Sequence, residues 1–169
     1  FGAIRPDVAS IRLNGRALMK PSFAIQAISY LPQDTFVPTD LSLARILGLY
    51  GVDPDKVLNY FPEFEEELGY YSTQLSGGIR RLFAVLLVLL RDTPFCFLDE
   101  PFTGLSPAFV ERLQRVLTIE KEKKGILISD HMYRHVMAIA DNLYLLNNGC
   151  TYLVKEPADL ARRGYVAIE

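Results

Sequence analysis

From residue 75 onward the chain alternates between runs that are apolar throughout and segments with helical spacing. Leu82 to Leu90 is unbroken apolar sequence behind Ser76, Gly77 and Gly78. An apolar residue at every helical angle predicts a buried helix, here over about 76–91. "TPFCFLDEP", residues 93–101, shows no polar alternation until Asp99. It reads as a central parallel strand covered on both faces. Ser106-Pro107 opens an amphipathic helix to about Lys124, ending at Gly125, and "ILISD" (126–130) is a second wholly apolar strand. "HMYRHVMAIA" reads as helical and "NLYLL" as a strand, which Asn148-Gly149 turns into "CTYLV". Nearer the start, residues 8–13 and 24–33 read as strands, the first stopped by the turn Asn14-Gly15 and the second by Pro32. A helix capped by Asp40 or Thr39 carries Leu41, Leu43, Ile46 and Leu47 on one face and ends at Gly48 and Gly51. Asp53-Pro54 starts another helix, and "PEFEEELGYY" reads as a short acidic one with a solvated face over Glu63–Glu67. Buried strands alternating with helices predict an α/β fold around a parallel sheet.

Composition narrows the class. The 169 residues allow one domain, with room for a small subdomain. Half are hydrophobic and 22% charged, which excludes disorder. The 18 basic and 20 acidic residues leave a net charge of −2, so nothing draws the chain generally toward nucleic acid or anionic lipid. Cys96 and Cys150, both in strand-like stretches, suggest a reducing compartment, and no Cys/His cluster suggests zinc. The longest apolar run falls far short of the roughly 20 residues that span a bilayer. No signal peptide is expected, and the chain opens at Phe1 as if in mid-domain, so a fragment is expected.

Three expected strands end in polar residues: Gln33, Asp99-Glu100 and Asp130-His131. Ligands of open α/β sheets bind at such carboxyl ends. Two adjacent carboxylates after a buried strand need compensation. Either they cap the turn at Pro101, or Asp99 meets a hard cation such as Mg²⁺ and Glu100 orients a water as general base. Ser76-Gly77-Gly78 is equally open. It is either an ordinary cap on a core helix, or a phosphate seat in which helix N–H groups and bare glycine backbone face the anion.

"SYLPQD", "QLSGGIRR", "FCFLDEP", "TGLSP" and "ISDH" occur in this order. Together they resemble the nucleotide-binding domain of an ABC ATPase, over nearly the whole chain, including "RPDVASIRLNG" at its start. The resemblance implies a P-loop NTPase core, a parallel sheet formed by 1–38 and 75–169, with a small helical subdomain at 39–74. It implies ATP and Mg²⁺ as ligands. Gln33 would stand near Mg²⁺ and the attacking water, and Ser76, Gly77 and Gly78 would be the signature that contacts the γ-phosphate. Asp99 would bind Mg²⁺, Glu100 would be the catalytic base, and His131 would be the switch that touches the γ-phosphate. Thr103–Pro107 would be the D-loop, while His135 has no family role and is expected to be structural.

Three departures stand out. Ile79 replaces the usual polar residue after the signature, and Ser106 replaces the usual D-loop Asp. No GxxxxGK[ST] exists: Lys20, Lys56, Lys121, Lys123, Lys124 and Lys155 all follow residues other than glycine. The resemblance places that phosphate loop upstream of Phe1. This chain alone is therefore expected to bind ATP poorly and hydrolyse none, whereas the intact protein would be an ATPase. Family members dimerise head to tail, so this signature would serve the partner's nucleotide. The implied function is the ATP-hydrolysing subunit of a transporter, held at the inner face of the cell membrane by a separate transmembrane partner. Phe36, Val37 and Ile46 are candidates for lining its docking groove, or they pack the subdomain core. The tail "SDHMYRHVMAIADNLYLLNNG" looks similar to the lipopolysaccharide-export and branched-chain amino acid branches. A DNA-repair relative is disfavoured because Gln33–Leu75 is too short for a coiled-coil insertion. The remaining alternative is a non-catalytic subunit without a P-loop that lends its signature to another domain; Glu100 and His131 argue against it.

Overall fold

The computed structural model describes residues 11–17, 27–34 and 36–165. They divide into two compact units, with the boundary between His131 and Met132. Residues 8–10 and 24–26 of the two expected N-terminal strands lie outside the described residues.

The first unit begins with a small antiparallel hairpin, β1 (Arg12–Leu13) and β2 (Arg16–Ala17). Asn14 and Gly15 join them with φ of 51° and 78°. Positive φ at both turn positions matches the right-handed twist of the strands, and Asn and Gly tolerate it best. The main sheet among the described residues is parallel and three-stranded, in the order β3 (Ile28–Leu31), β4 (Phe95–Asp99), β5 (Gly125–Ser129). Its register aligns Leu31, Leu98 and Ile128, so all three strands run out at the same edge. β4 is central, as its unbroken apolar run predicts. Its two faces differ, however. Cys96 and Leu98 are buried, while Phe95 is 37% exposed.

Between β3 and β4 the chain forms α1 (Leu43–Tyr50), α2 (Pro54–Tyr60) and α3 (Gly77–Leu89). The N-cap of α1 is Ser42, two residues beyond the expected Asp40, and Gly48 lies inside the helix. Gly51 terminates it in the left-handed conformation that glycine accepts without a Cβ clash (φ 67°). Asp53 caps α2 as read: its Oδ1 accepts from the Asp55 amide at 3.0 Å, and Pro54 fills the first turn. The acidic segment makes only one 3-10 turn, Pro62–Glu65. It is held from outside by Arg112, which pairs with Glu63 at 2.6 Å and lies over the Phe61 ring at 4.3 Å. α3 is the hydrophobic centre, with every residue from Arg81 to Leu90 buried. At about 1.5–3 kcal/mol for each large apolar side chain, its burial is a main support of the unit. α4 (Pro107–Glu120) links β4 to β5 and stops at Glu120, several residues before Gly125, which starts β5. Ser106 caps it through its Oγ, which accepts from the Phe109 amide at 3.4 Å.

The second unit holds α5 (Tyr133–Met137), the hairpin β6 (Leu143–Asn147) and β7 (Cys150–Val154), and α6 (Pro157–Arg162). Asn148 and Gly149 turn the hairpin as predicted, with φ of 50° and 75°. α5 is half the length that its pattern suggests. α6 is an addition to the expected elements, started by Pro157 and by Asp159, whose Oδ2 accepts from the Lys155 and Glu156 amides. Leu145, Val154 and Leu160 form a small core there, packed against Tyr133, Met137 and Leu143. Among the described residues no helix is long and apolar enough to cross a membrane.

Candidate functional site

Parallel strands in register deliver their next residues to one edge, and the polar residues gather there. Asp99 is the last residue of β4 and stands directly across from Ser129 of β5. The Ser129 hydroxyl donates to Asp99 Oδ1 at 2.6 Å, which aims the carboxylate along the sheet edge. Glu100 follows in the left-handed region at φ 49°. A non-glycine residue there costs about 1–3 kcal/mol and persists only where its surroundings determine it. Its amide donates to the Ser129 carbonyl at 2.7 Å, and its carbonyl accepts from the Thr103 amide at 3.2 Å. The main chain on both sides of the strained residue is thus tied down.

The left-handed turn brings the Glu100 carboxylate to two donors. Oε2 accepts from the Thr103 hydroxyl at 3.2 Å, and Oε1 lies 3.2 Å from His131 Nδ1. Partial burial raises the Glu100 carboxyl. The hydrogen bonds from His131 and Thr103, the charge of His131 and a hydrogen bond from Gln33 outweigh that and hold it below the usual carboxylate range. Glu100 is therefore ionised at neutral pH, as a general base must be. Gln33, Glu100 and His131, 98 residues apart at the extremes, come together at one edge. The His131 side chain is 63% exposed.

Ser76, Gly77 and Gly78 open α3. The Ser76 Oγ accepts from the Ile79 amide at 3.3 Å, so the capping role is realised, and its hydroxyl proton stays available to an acceptor. The two glycines have different reasons. Nothing lies within 4 Å of the point where a Gly77 Cβ would sit, so its backbone is open to an approaching group. A Cβ on Gly78 would lie 2.8 Å from the Gly104 carbonyl oxygen. The smallness of Gly78 lets α3 pack against the loop after Glu100, where Gly104 takes φ 76°. The residues alone left the glycines open between a helix cap and a phosphate seat, and the structure gives Gly78 a packing partner within the chain.

Two functional groups escaped sequence reading. Ser129 is legible only once β4 and β5 are in register. Arg81 was hidden as one of two arginines beside an apolar run, yet it is 8% exposed and its guanidinium reaches the backbone at both Gln33 and Glu100. A charge inside a helix otherwise built for the core was the available signal. The proposed groove lining is corrected: Val37 and Ile46 are buried at 5% and 0%, and Phe36 packs against Tyr50 with ring centroids 6.0 Å apart. The exposed apolar groups of that region are Leu49, Tyr70 and Tyr71.

A family model described as "AAA domain, putative AbiEii toxin, Type IV TA system" matches residues 11–129. The lipopolysaccharide export system ATP-binding protein LptB of Acidithiobacillus ferridurans is 29% identical over 94% of this chain and 72% of its own length. The branched-chain amino acid transport ATP-binding protein BraG of Pseudomonas aeruginosa is 27% identical over 88% of this chain and 69% of its own. For the ABC-type transporter ATP-binding protein EcsA of Bacillus subtilis the values are 26%, 88% and 65%. The chain thus spans roughly two thirds of the length of these relatives. A solved ATP-binding subunit of an ABC transporter superposes with a TM-score of 0.77, covering 99% of this chain and 75% of its own at 24% identity, a likeness of fold. The chain belongs to the AAA-domain family of that model, and its sequence is similar to the ATP-binding proteins of ABC transporters.

Proposed function

We propose that this chain carries the hydrolytic half of an ABC transporter ATPase, acting in the full-length protein to power transport through a separate transmembrane partner. The observation that supports this most is the convergence of Gln33, Glu100 and His131 at the edge where three parallel strands end. Glu100 takes a proton from the attacking water. Thr103 and His131 fix its two oxygens, so the carboxylate does not have to search for its orientation. The exposed part of the His131 side chain faces the terminal phosphate. Ser76 and Gly77 face outward for the nucleotide held by a second copy in a head-to-tail dimer.

Asp99 and Gln33 would hold Mg²⁺. Among the described residues no group of three or more acidic, His or Cys side chains converges on one point. A single carboxylate suits Mg²⁺, which keeps waters and phosphate oxygens as its other ligands. When bound, it would neutralise charge on the phosphates. Residues 39–74 would form the helical subdomain that faces the membrane partner, on the cytoplasmic side, with Leu49 and Tyr70 as its exposed apolar groups.

Steady-state ATP turnover by the full-length protein, wild type against Glu100→Gln, tests the reading. The substitution keeps the shape and removes the base, so turnover should fall by about 10²–10⁴ with nucleotide affinity retained. Equal turnover in the two proteins would remove Glu100 from the chemistry.

A further inference from the structure

Arg81 sits in the second turn of α3, and its guanidinium donates to four backbone carbonyls in two separate loops. Nη1 reaches Pro32 O at 3.0 Å and Gln33 O at 3.1 Å, just beyond β3. Nη2 reaches Asp99 O at 2.5 Å and Glu100 O at 3.0 Å, where β4 ends. The side chain is only 8% exposed, and Nε is buried without a hydrogen-bond partner. Burying a guanidinium in this way is costly, and a leucine would suit the apolar body of α3 better. The planar fork spans two carbonyl pairs at once, a geometry that a lysine ammonium cannot reproduce. The carbonyl of Glu100 belongs to the left-handed residue, whose amide is already held by Ser129.

We infer that Arg81 is a positioning residue that locks the backbone of Gln33 and Glu100 to the helix carrying Ser76, Gly77 and Gly78. It touches no reacting atom. It makes the two loops and the helix move as one piece, so displacement at the helix N-terminus reaches the base and the glutamine together. The use of this lock in turnover rests on the hydrolytic reading above; the lock itself does not.

Full-length protein carrying Arg81→Met, with Arg81→Lys as the milder variant, separates the two claims. Backbone amide exchange tests the lock without turnover. In Arg81→Met the amides of Glu100, Phe102 and Thr103 and of Gln33 and Asp34 should exchange at least about tenfold faster, while Leu86–Leu89 stay protected. In turnover, kcat should fall roughly 10–100-fold with ATP affinity changed by no more than about threefold, and Arg81→Lys should recover part of the loss. If Arg81→Met does not fold, the same comparison is made on Arg81→Lys, whose single ammonium cannot hold both carbonyl pairs. Unchanged exchange at both loops in a folded variant overturns the lock. Faster exchange with unchanged kcat overturns its positioning role. So does a parallel loss of kcat, affinity and α3 protection, which would mark general destabilisation. If wild type and Glu100→Gln turn over alike, the hydrolytic reading fails, and the exchange result still decides the lock.

Discussion

The helix α3 and the strand β5 are nearly equal in apolar character and opposite in exposure. Leu86 and Leu87 are fully buried, whereas Leu127, in the middle of β5, is 60% exposed. Both segments are runs that a hydropathy pattern assigns to the interior. The difference is position. α3 packs against β3 and β4 and, through Phe83, against Phe64 of the 3-10 turn, while among the described residues β5 pairs only with β4, on one side. Apolarity states that a segment gains by burial; what lies on each side of it decides whether the gain is realised.

The comparison can be broken by substitution. Leu86→Ala should cost about 2–5 kcal/mol, because it empties space inside a packed helix core. Leu127→Ser should cost no more than about 0.5 kcal/mol, as expected for an exposed side chain. Equal shifts of the urea midpoint would show that β5 is covered in solution, and the contrast would fall.

The N-terminal end of α3 offers a sharper version. Gly78→Ala drives a Cβ into the Gly104 carbonyl, which is main chain and cannot swing away; a loss of about 1–3 kcal/mol is expected. Gly77→Ala meets open space and should stay within about 0.5 kcal/mol. Matching melting temperatures for the two variants would remove the assigned packing role of Gly78.

Thiol labelling contrasts an inner strand with a surface hairpin. Cys96, on the buried side of β4, is pushed up to about 11 by burial, while Cys150 opens β7 and is exposed. At pH 8 a disulfide reagent should modify Cys150 rapidly and Cys96 only as fast as the fold opens. Rapid labelling of both would place β4 at a surface.

The smallest expected effect concerns pH. Hydrogen bonds from the Lys155 and Glu156 amides, and then Arg162, hold the Asp159 carboxyl below its ordinary value. A depressed carboxyl contributes stability that is present above its unfolded pKa and is lost as pH falls through the folded one. Protection of the Lys155 and Glu156 amides, taken against their intrinsic exchange rates, should therefore fall below about pH 4, ahead of protection in α3. Identical acid profiles in the two regions would contradict that capping role.

Much of the site was legible before folding was considered. Asp99-Glu100 and Asp130-His131 follow apolar runs, and a strand end is where an α/β sheet exposes such groups. The caps Asp53, Ser76 and Ser106 were legible because capping chemistry is local, set within three residues. The limits appear where distance along the chain grows. The N-cap of α1 moved to Ser42 because Ser42 also bridges to Tyr71. The acidic segment stayed a single turn because Arg112, far along the chain, holds it.

By itself the sequence determined the α/β class, most of the order of strands and helices, and the turns at Asn14-Gly15 and Asn148-Gly149. These rest on short-range rules: side-chain period, capping and the φ that each residue tolerates. Only the tertiary structure decided that Ser129 aims Asp99, that Gly78 answers to Gly104, that Val37 and Ile46 belong to the core, and that Arg81 spans two loops. Each is a contact between residues at least 18 positions apart, or a burial made by several segments at once. No local pattern encodes such a contact, because its energy exists only after the strands have come into register.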